Sequence, residues 1–235
     1  MATTVKWLGH ATFLIQTPGN KVILIDPWVQ GNPACPDTEK AIQRIDLMLI
    51  THGHGDHMSD AVPLAKQHRP VVMAIYEIVQ YLARHGVENL RPMNKGGSQA
   101  WEGITVTMVN AFHSSGIEEG DRIVEGGDPA GFVVKLEDGF SFYHAGDTCL
   151  FGDMKWIGEL YTPRLAMLPI GDLFTMSPRE AAYAIRLLGV RQVIPMHYGT
   201  FPLLTGTPAE LRNYTEGIPD LQIIELRPGE SATFE

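Results

Sequence analysis

The sequence has little cysteine: Cys35 and Cys149 are its two cysteines in 235 residues. Two cysteines cannot build the disulfide framework of a small secreted domain, and a chain of this length can bury a core that needs no such bonds. The first residues lack the basic-then-apolar pattern of a signal peptide, and no run approaches the roughly 18 apolar residues of a membrane span. We therefore expect a soluble protein of the reducing cytoplasm.

Basic residues are also scarce. Lys and Arg number 18 against 27 Asp and Glu, which gives a formal net charge of −9, and no run of Lys or Arg occurs. Nucleic-acid-binding proteins usually present a basic face. The composition therefore argues against a nucleic-acid partner and favours a small-molecule partner. A homo-oligomer is compatible with the sequence, which shows no readable interface.

Short apolar, β-branched runs separated by turn residues predict many strands. We expect strands at 5–8, 12–16, 22–25, 47–50, 71–74, 104–109, 131–136, 140–144 and 190–195, with 221–226 as the final strand. Helical spacing predicts helices at 59–68 and 75–85, and N-cap signatures at Ser177 and Thr207 predict two more. The acidic, Gly-rich segment 114–128 is expected to be a mobile loop beside the functional site.

The sequence contains a weak internal repeat. A strand-turn-strand unit leads to Asp26 and again to Asp147, and a helix-strand unit over 41–51 leads to His52 as 184–196 leads to His197. We interpret residues 1–235 as one domain of two similar halves, roughly 1–110 and 111–235. Such units are common, so chance similarity remains an alternative. If the halves are real, two sheets pack face to face with helices outside.

The most informative motif is the run from His52 to His57, in which His52, His54, Asp56 and His57 alternate with glycines. Imidazole nitrogen and carboxylate oxygen are ligands for zinc, and also for manganese or iron. In an extended segment His52 and His54 lie on one side, while Asp56 and His57 point elsewhere as a helix begins. The run can therefore serve two adjacent metals, whereas the alternative is a polar loop with solvated histidines.

Four ligands cannot complete two coordination spheres, so further ligands must come from elsewhere in the chain. His113, Asp147 and His197 each follow a predicted apolar strand. Side chains that follow strands can meet at one edge of a sheet. We therefore expect these three residues to join the run in a single metal site.

The pattern His-x-His-x-Asp-His, followed by a distant His, an Asp and a last His, resembles the metallo-β-lactamase superfamily over nearly the whole chain. The resemblance implies an α/β fold, the four-layer αββα sandwich with two mixed sheets face to face and helices outside. It also implies that His52, His54 and His113 hold one metal, that Asp56, His57 and His197 hold a second, and that Asp147 bridges both. Asp26 would orient the metal-binding loop by hydrogen bonds.

Within that superfamily, Gly9-His10-Ala11 and the segment from His144 to Thr148 resemble a bacterial group of metal-dependent hydrolases. This group is similar to the L-ascorbate-6-phosphate lactonases and to N-acyl-phosphatidylethanolamine phospholipase D. Flavodiiron oxidoreductases of the superfamily carry Glu where this chain has His54, and we expect neither their fused flavin domain nor the inserted domain of the nuclease branch. The resemblance therefore implies hydrolysis rather than oxygen chemistry.

The expected activity is a dinuclear hydrolase in which a metal-bridging hydroxide cleaves an ester-type bond, a phosphodiester or a lactone. Two divalent ions, zinc foremost, with Asp56, Asp147 and hydroxide leave about one positive charge, which favours an anionic or strongly polarised ester. His10 and His144 are candidates for substrate contact or proton transfer, or else only bond a ligand or cap a strand. The alternatives are a metal-binding sensor or structural protein without turnover, and a β-lactam hydrolase.

Overall fold

Two seven-stranded β-sheets organise residues 2–235, which are the residues that the computed structural model describes. The first sheet contains β1 (Thr3–Trp7), β2 (Phe13–Gln16), β3 (Val22–Ile25), β4 (Leu47–Leu49), β5 (Val71–Ile75) and β6 (Leu90–Met93), and the C-terminal β16 (Ser231–Phe234) completes it. The strand order is β16-β1-β2-β3-β4-β5-β6. The last strand of the chain thus pairs with the first.

The second sheet is built from the middle and the end of the chain. It contains β7 (Ser98–Trp101), β8 (Ile104–Asn110), β11 (Ala130–Lys135), β12 (Ser141–His144), β13 (Leu165–Pro169), β14 (Gln192–Met196) and β15 (Gln222–Ile223). The strand order is β15-β14-β13-β12-β11-β8-β7. A separate hairpin of β9 (Ile117–Glu119) and β10 (Arg122–Val124) lies between β8 and β11 in the sequence.

Both sheets repeat the same succession of strand pairings. In the first sheet the pairings from β16 to β3 are antiparallel and those from β3 to β6 are parallel. In the second sheet the pairings from β7 to β12 are antiparallel and those from β12 to β15 are parallel. The chain changes sheets between Met93 and Ser98, because β8 pairs with β7 and β11. The division into two similar halves near residue 110 stays a prediction.

Helices cover the two sheets, which gives the α/β sandwich that the sequence predicts. They are α1 (Gly55–Met58), α2 (Ala61–His68), α3 (Tyr76–Arg84), α4 (Met154–Tyr161), α5 (Pro178–Leu188) and α6 (Pro208–Thr215), with a 3-10 turn at Asp37–Glu39. Ser177 caps α5 by accepting the Glu180 backbone N–H, and the Glu180 side chain returns the bond. Thr207 and Glu210 do the same at α6, so both predicted helix starts are confirmed.

The core lies between the sheets, where the largest fully buried side chains meet. Phe13 comes from the first sheet, and Phe132 and Phe142 come from the second, whereas Tyr143 alternates with Phe142 along β12 and lies on the opposite face. Burying an aromatic side chain of this size stabilises a fold by about 1.5–3 kcal/mol. Strands β4 and β13 are buried along their whole length, which explains their continuous apolar sequences.

Several elements differ from the sequence prediction. The expected final strand at 221–226 is only Gln222–Ile223, and the true last strand is β16, whose sequence Ser-Ala-Thr-Phe is too short to indicate a strand. No helix precedes β4 in residues 37–46 beyond the 3-10 turn. Part of the segment 114–128 forms the β9–β10 hairpin. Pairing with distant strands, which no local pattern reports, decides these cases.

Hydrogen bonds join the two sheets along one edge. The Ala130 N–H donates to the Thr51 carbonyl at 3.0 Å, and the His197 N–H donates to the His10 carbonyl at 2.9 Å. His144 adds a side-chain link: its Nδ1 accepts from the Gly146 N–H at 3.2 Å, so its Nε2 carries the proton that it donates to the Ala11 carbonyl at 3.0 Å. Both ring nitrogens of His144 are therefore bound to backbone.

Among the helices in residues 2–235, none combines the length and the apolar character that crossing a membrane requires.

Replacing His144 with Ala should lower the free energy of unfolding by about 2–4 kcal/mol, because the change leaves a cavity and unpaired buried backbone groups. Urea unfolding of the metal-free protein measures the effect. Gln67→Ala, at an exposed position of α2, is the control and should change stability by less than about 0.5 kcal/mol. Equal stabilities of the two variants would contradict the structural role of His144.

Candidate metal centre

The seven predicted metal ligands all follow strands that end at the same edge of the sandwich. The run from His52 to His57 follows β4, and His113 follows β8. Asp147 follows β12 and His197 follows β14. His54 is the extended residue before α1, whose first turn carries Asp56 and His57. The start of α1 therefore turns Asp56 and His57 away from the direction of His52 and His54.

The ligands form two groups that share one carboxylate. One ligand atom from each of His52, His54 and His113 lies within 4.8 Å of the others. The second group contains Asp56, His57 and His197, with His10 beside them. A third combination, His52 with His57 and Asp147, connects the two groups.

Asp147 lies between the two groups. Its Oδ2 is 2.9 Å from His197 Nε2, 3.3 Å from His57 Nε2, 3.6 Å from His113 Nε2 and 4.0 Å from His52 Nε2. A single carboxylate oxygen thus faces imidazole nitrogens of both groups. The structure therefore brings the seven predicted ligands together in one site.

Asp26 hydrogen-bonds Thr51 and His57 on the side of these residues that faces away from Asp147. Its Oδ1 accepts the Thr51 backbone N–H, and its Oδ2 accepts the Thr51 hydroxyl and the His57 Nδ1–H, each at 2.8 Å. Because Thr51 Oγ1 donates to Asp26, it accepts from His52 Nδ1–H at 3.0 Å. These bonds place a proton on Nδ1 of His52 and of His57, so both Nε2 atoms are directed towards Asp147.

The buried polar atoms of the site fit a divalent cation. Within residues 2–235, His57 Nε2, both ring nitrogens of His197 and Asp147 Oδ1 are buried without a hydrogen-bond partner. Buried polar groups are normally paired, because an unpaired one loses its hydration without compensation. Lone pairs of imidazole that face a carboxylate are the donor set that divalent metals bind.

The pKa shifts of the site residues also fit a site for a divalent cation. Burial lowers the pKa of His52, His54 and His113, so these rings are neutral and able to bind a metal. Burial opposes charge on His57 as well, but Asp147 and Asp26 outweigh it and hold the pKa of His57 well above its usual range. Burial also opposes charge on Asp147, yet His197 and His57 keep its pKa well below normal. The carboxylates thus favour positive charge in the space between these side chains.

Three residues of the site have left-handed backbone. His10, Asp26 and His197 have φ values of 56°, 51° and 55°. Such conformations cost about 1–3 kcal/mol each in non-glycine residues and persist where the surroundings enforce them. The Asp26 N–H donates to Leu49, and the His197 N–H donates to His10. The sheets therefore enforce the backbone that aims these side chains.

His10 contacts a ligand directly. Its ring is fully buried, and burial lowers the pKa of His10 to about 4. The neutral ring donates Nε2–H to Asp56 Oδ2 at 3.0 Å and accepts the Thr200 hydroxyl on Nδ1 at 3.0 Å. Burial opposes charge on Asp56, but the bond from His10 and the charge of His57 keep the pKa of Asp56 far below normal.

His144 does not reach the metal centre, contrary to the expectation of substrate contact or proton transfer. Its ring is buried, and both its nitrogens bond backbone groups at the seam between the sheets. The expectation arose because His144 lies three residues before Asp147 and its strand leads to the site. Its side chain instead points between the sheets, where its ring packs 5.6 Å from that of Phe13.

Sequence reasoning missed the hydroxyl groups that support the ligands. The Thr51 hydroxyl hydrogen-bonds His52, and the Thr200 hydroxyl hydrogen-bonds His10. Ser114 Oγ lies 3.1 Å from His54 Nε2. Ser115 accepts the Gly53 N–H at 3.0 Å. These residues adjoin ligands in the sequence, which is the only signal that could have indicated them.

Gly53 shows why the ligand run contains glycine. A Cβ at this position would lie 2.6 Å from the Ser115 carbonyl oxygen, which is backbone and cannot move aside. The segment after His113 therefore packs directly on the loop between His52 and His54. This close approach brings His113 into the first ligand group.

The αββα sandwich with paired His and Asp groups at one edge defines a class of metal-dependent proteins, and known sequences agree. A family profile described as "Beta-lactamase superfamily domain" matches residues 21–198. A UPF0173 metal-dependent hydrolase of Koribacter versatilis is 55% identical over 97% of this chain and 96% of its own length. One from Methanopyrus kandleri is 49% identical over 97% and 98%.

A solved structure of a metal-dependent hydrolase is also similar to this chain. Igni18, described as a novel metallo hydrolase from the hyperthermophilic archaeon Ignicoccus hospitalis, is 34% identical with a TM-score of 0.88. The match covers 100% of this chain and 99% of that one. The chain therefore belongs to the metallo-β-lactamase superfamily and is a metal-dependent hydrolase.

Asp26→Asn should weaken metal binding about 10–100-fold, because the amide cannot accept all the bonds that fix His57 and Thr51. Competition with a chromogenic chelator measures the dissociation constants. Asp37→Asn, whose carboxylate is fully exposed, is the control and should bind metal as the unaltered protein does. Unchanged affinity in Asp26→Asn would contradict the orienting role.

His10 makes the stability of the metal-free protein depend on pH. Its folded pKa of about 4 lies below the ordinary value of 6.5, so the unfolded chain binds more protons between these values. Stability is full above pH 6.5 and is lost as the pH falls towards 4. His10→Gln keeps an N–H for Asp56 and should reduce the slope by up to about 1.4 kcal/mol per pH unit.

Urea unfolding from pH 4.5 to 8 measures this slope. Above pH 7 the difference in unfolding free energy between the two proteins should stay constant, which provides an internal control. Parallel curves over the whole range would contradict a buried, neutral His10.

Proposed function

We propose that this chain uses two divalent metal ions, zinc foremost with manganese or iron as alternatives, to hydrolyse an ester-type bond in a small molecule. His52, His54 and His113 would hold one ion, and Asp56, His57 and His197 the other. Asp147 would contact both. The observation that carries the proposal is the position of Asp147 Oδ2 between imidazole nitrogens of the two groups.

Divalent ions in these groups supply Lewis acidity, which makes a nucleophile available from water at neutral pH and polarises the scissile bond. The chain's own residues keep the ligands ready. Asp26 and Thr51 hold the Nδ1 sides of His57 and His52, so neither ring has to turn before a metal binds at Nε2. Asp147 is ionised and needs no general base of its own.

His10 holds Asp56 in place rather than meeting substrate itself. Its Nε2–H occupies Asp56 Oδ2, and the Thr200 hydroxyl fixes the ring from the other side. The remaining Asp56 oxygen is the one free to face a metal. We assign His10 to positioning in this proposal, and His144 to the seam between the sheets.

The test is a panel of matched chromogenic substrates: a bis-aryl phosphodiester, an aryl carboxylic ester, a lactone with a pH indicator, and a cephalosporin. The metal-loaded protein should hydrolyse the ester-type compounds, a chelator should abolish turnover, and added zinc or manganese should restore it. Asp147→Asn should lose at least about a hundredfold in kcat/KM, whereas Asp37→Asn should keep full activity.

Other outcomes would replace the proposal. Two metals bound per chain with no turnover of any substrate would indicate a metal-binding sensor or structural protein. Turnover of the cephalosporin alone would indicate a β-lactam hydrolase. Full activity of Asp147→Asn would remove the shared carboxylate from the mechanism.

A further inference from the structure

Four large apolar side chains are exposed on two loops beside the second ligand group. Leu173 and Phe174 lie on the loop after β13, and Phe201 and Leu203 lie on the loop after β14. Their exposed fractions are 60%, 55%, 37% and 61%. We call these four residues the apolar lip.

Backbone contacts place the apolar lip at the metal centre. The Gly206 N–H donates to the Gly171 carbonyl, so the two loops touch, and the Met176 N–H donates to Thr148, next to Asp147. The second loop begins directly after His197, and the Phe201 ring lies 5.8 Å from the His10 ring. The lip therefore borders the side of the site formed by Asp56, His57 and His197.

The loop after β13 keeps Leu173 exposed although its backbone there has an unfavourable conformation. Asp172 and Leu173 both have left-handed backbone, with φ of 65° and 52°, which is unfavourable for leucine. The Asp172 carboxylate accepts the Leu173 N–H at 2.8 Å, and the Asp172 N–H donates to Met176. Strain that is kept in order to expose an apolar side chain beside a metal site points to a ligand there.

The charges around the site argue against an anionic ligand. The segment 114–128 packs on the ligand run, and its Glu118 carboxylate acts on His54, whereas Asp128 pairs with Lys95 and Glu119 faces His85. Arg122 is its only basic residue. The Glu118 carboxylate repels an approaching phosphate group, and the apolar lip offers it no hydrogen bonds.

We propose that the substrate is a neutral carboxylic ester or lactone whose apolar substituent lies against the apolar lip. The proposal rests on the ester hydrolysis proposed above. Among the ester-type substrates named there, it selects neutral carboxylic esters and lactones over phosphodiesters. The oxygen of water bonds the acyl carbon, the acyl–oxygen bond of the ester breaks, and the departing oxygen takes a proton from that water. A lactone therefore yields a hydroxy acid.

The first test compares γ-decanolactone with γ-butyrolactone on the zinc-loaded protein. A fully buried methylene changes affinity about fourfold, so six carbons half covered by the lip should raise kcat/KM at least about tenfold. In Phe174→Ala and Phe201→Ala the ratio of the two kcat/KM values should fall towards one. Leu160→Ala is the matched control, because this exposed apolar residue lies on α4, and it should keep the ratio.

A second measurement needs no turnover and separates this proposal from the hydrolysis itself. Calorimetry should show 4-hydroxydecanoate binding at least about tenfold more tightly than 4-hydroxybutyrate, with the preference lost in Phe174→Ala and Phe201→Ala. Chain-length preference in binding without lactone turnover would reject the hydrolysis and retain the lip as an apolar site. Turnover with equal kcat/KM for both lactones would reject the lip and retain the hydrolysis.

Two further results would overturn the proposal. Faster turnover of bis-4-nitrophenyl phosphate than of γ-decanolactone would assign the site to an anionic ester. Light scattering that shows a dimer in the unaltered protein and a monomer in Phe174→Ala and Phe201→Ala, with an unchanged lactone ratio, would assign the lip to contact between copies of the chain.

Discussion

The Asp147 carboxylate, buried among four imidazole rings from three loops, is the constraint on which the rest of the site depends. A buried carboxylate is tolerated only where positive charge or strong donors compensate it. Here the compensation must come from both ligand groups, so both groups have to be held within a few ångströms of one oxygen. The strained backbone of His197, the close approach at Gly53 and the bonds of Asp26 all serve that placement.

The two sheets contribute unequally to a site that their similar topology places at one edge. Asp26 ends a strand-turn-strand unit in the first sheet, and Asp147 follows the corresponding unit in the second. Asp147 faces the metal ligands, whereas Asp26 binds the far side of His57 and the Thr51 hydroxyl. One carboxylate thus supplies charge where a metal binds, and the other fixes the rings that accompany it.

The loops beyond the ligands carry the information on substrate. Metal-binding side chains alone do not select a substrate, so the choice of substrate has to come from the side chains at the border. In this chain the border combines the apolar lip with an acidic hairpin. The apolar lip lies beside Asp147 because the parallel order of β12, β13 and β14 brings the loops after these three strands together.

The sequence by itself predicted the sandwich class and the seven candidate ligands that the fold brings together, because His and Asp at strand ends form a dense local pattern. It also indicated Asp26. It did not reveal β16 or the point where the chain changes sheets, because strand pairing depends on distant partners. The roles of His10 and His144 looked alike in the sequence, since each lies at a strand end near a ligand. Tertiary structure separated them: the ring of His10 turns towards Asp56, whereas the ring of His144 turns into the seam between the sheets. Side-chain direction at a strand end depends on packing against the other sheet, and that packing exists only in the folded chain.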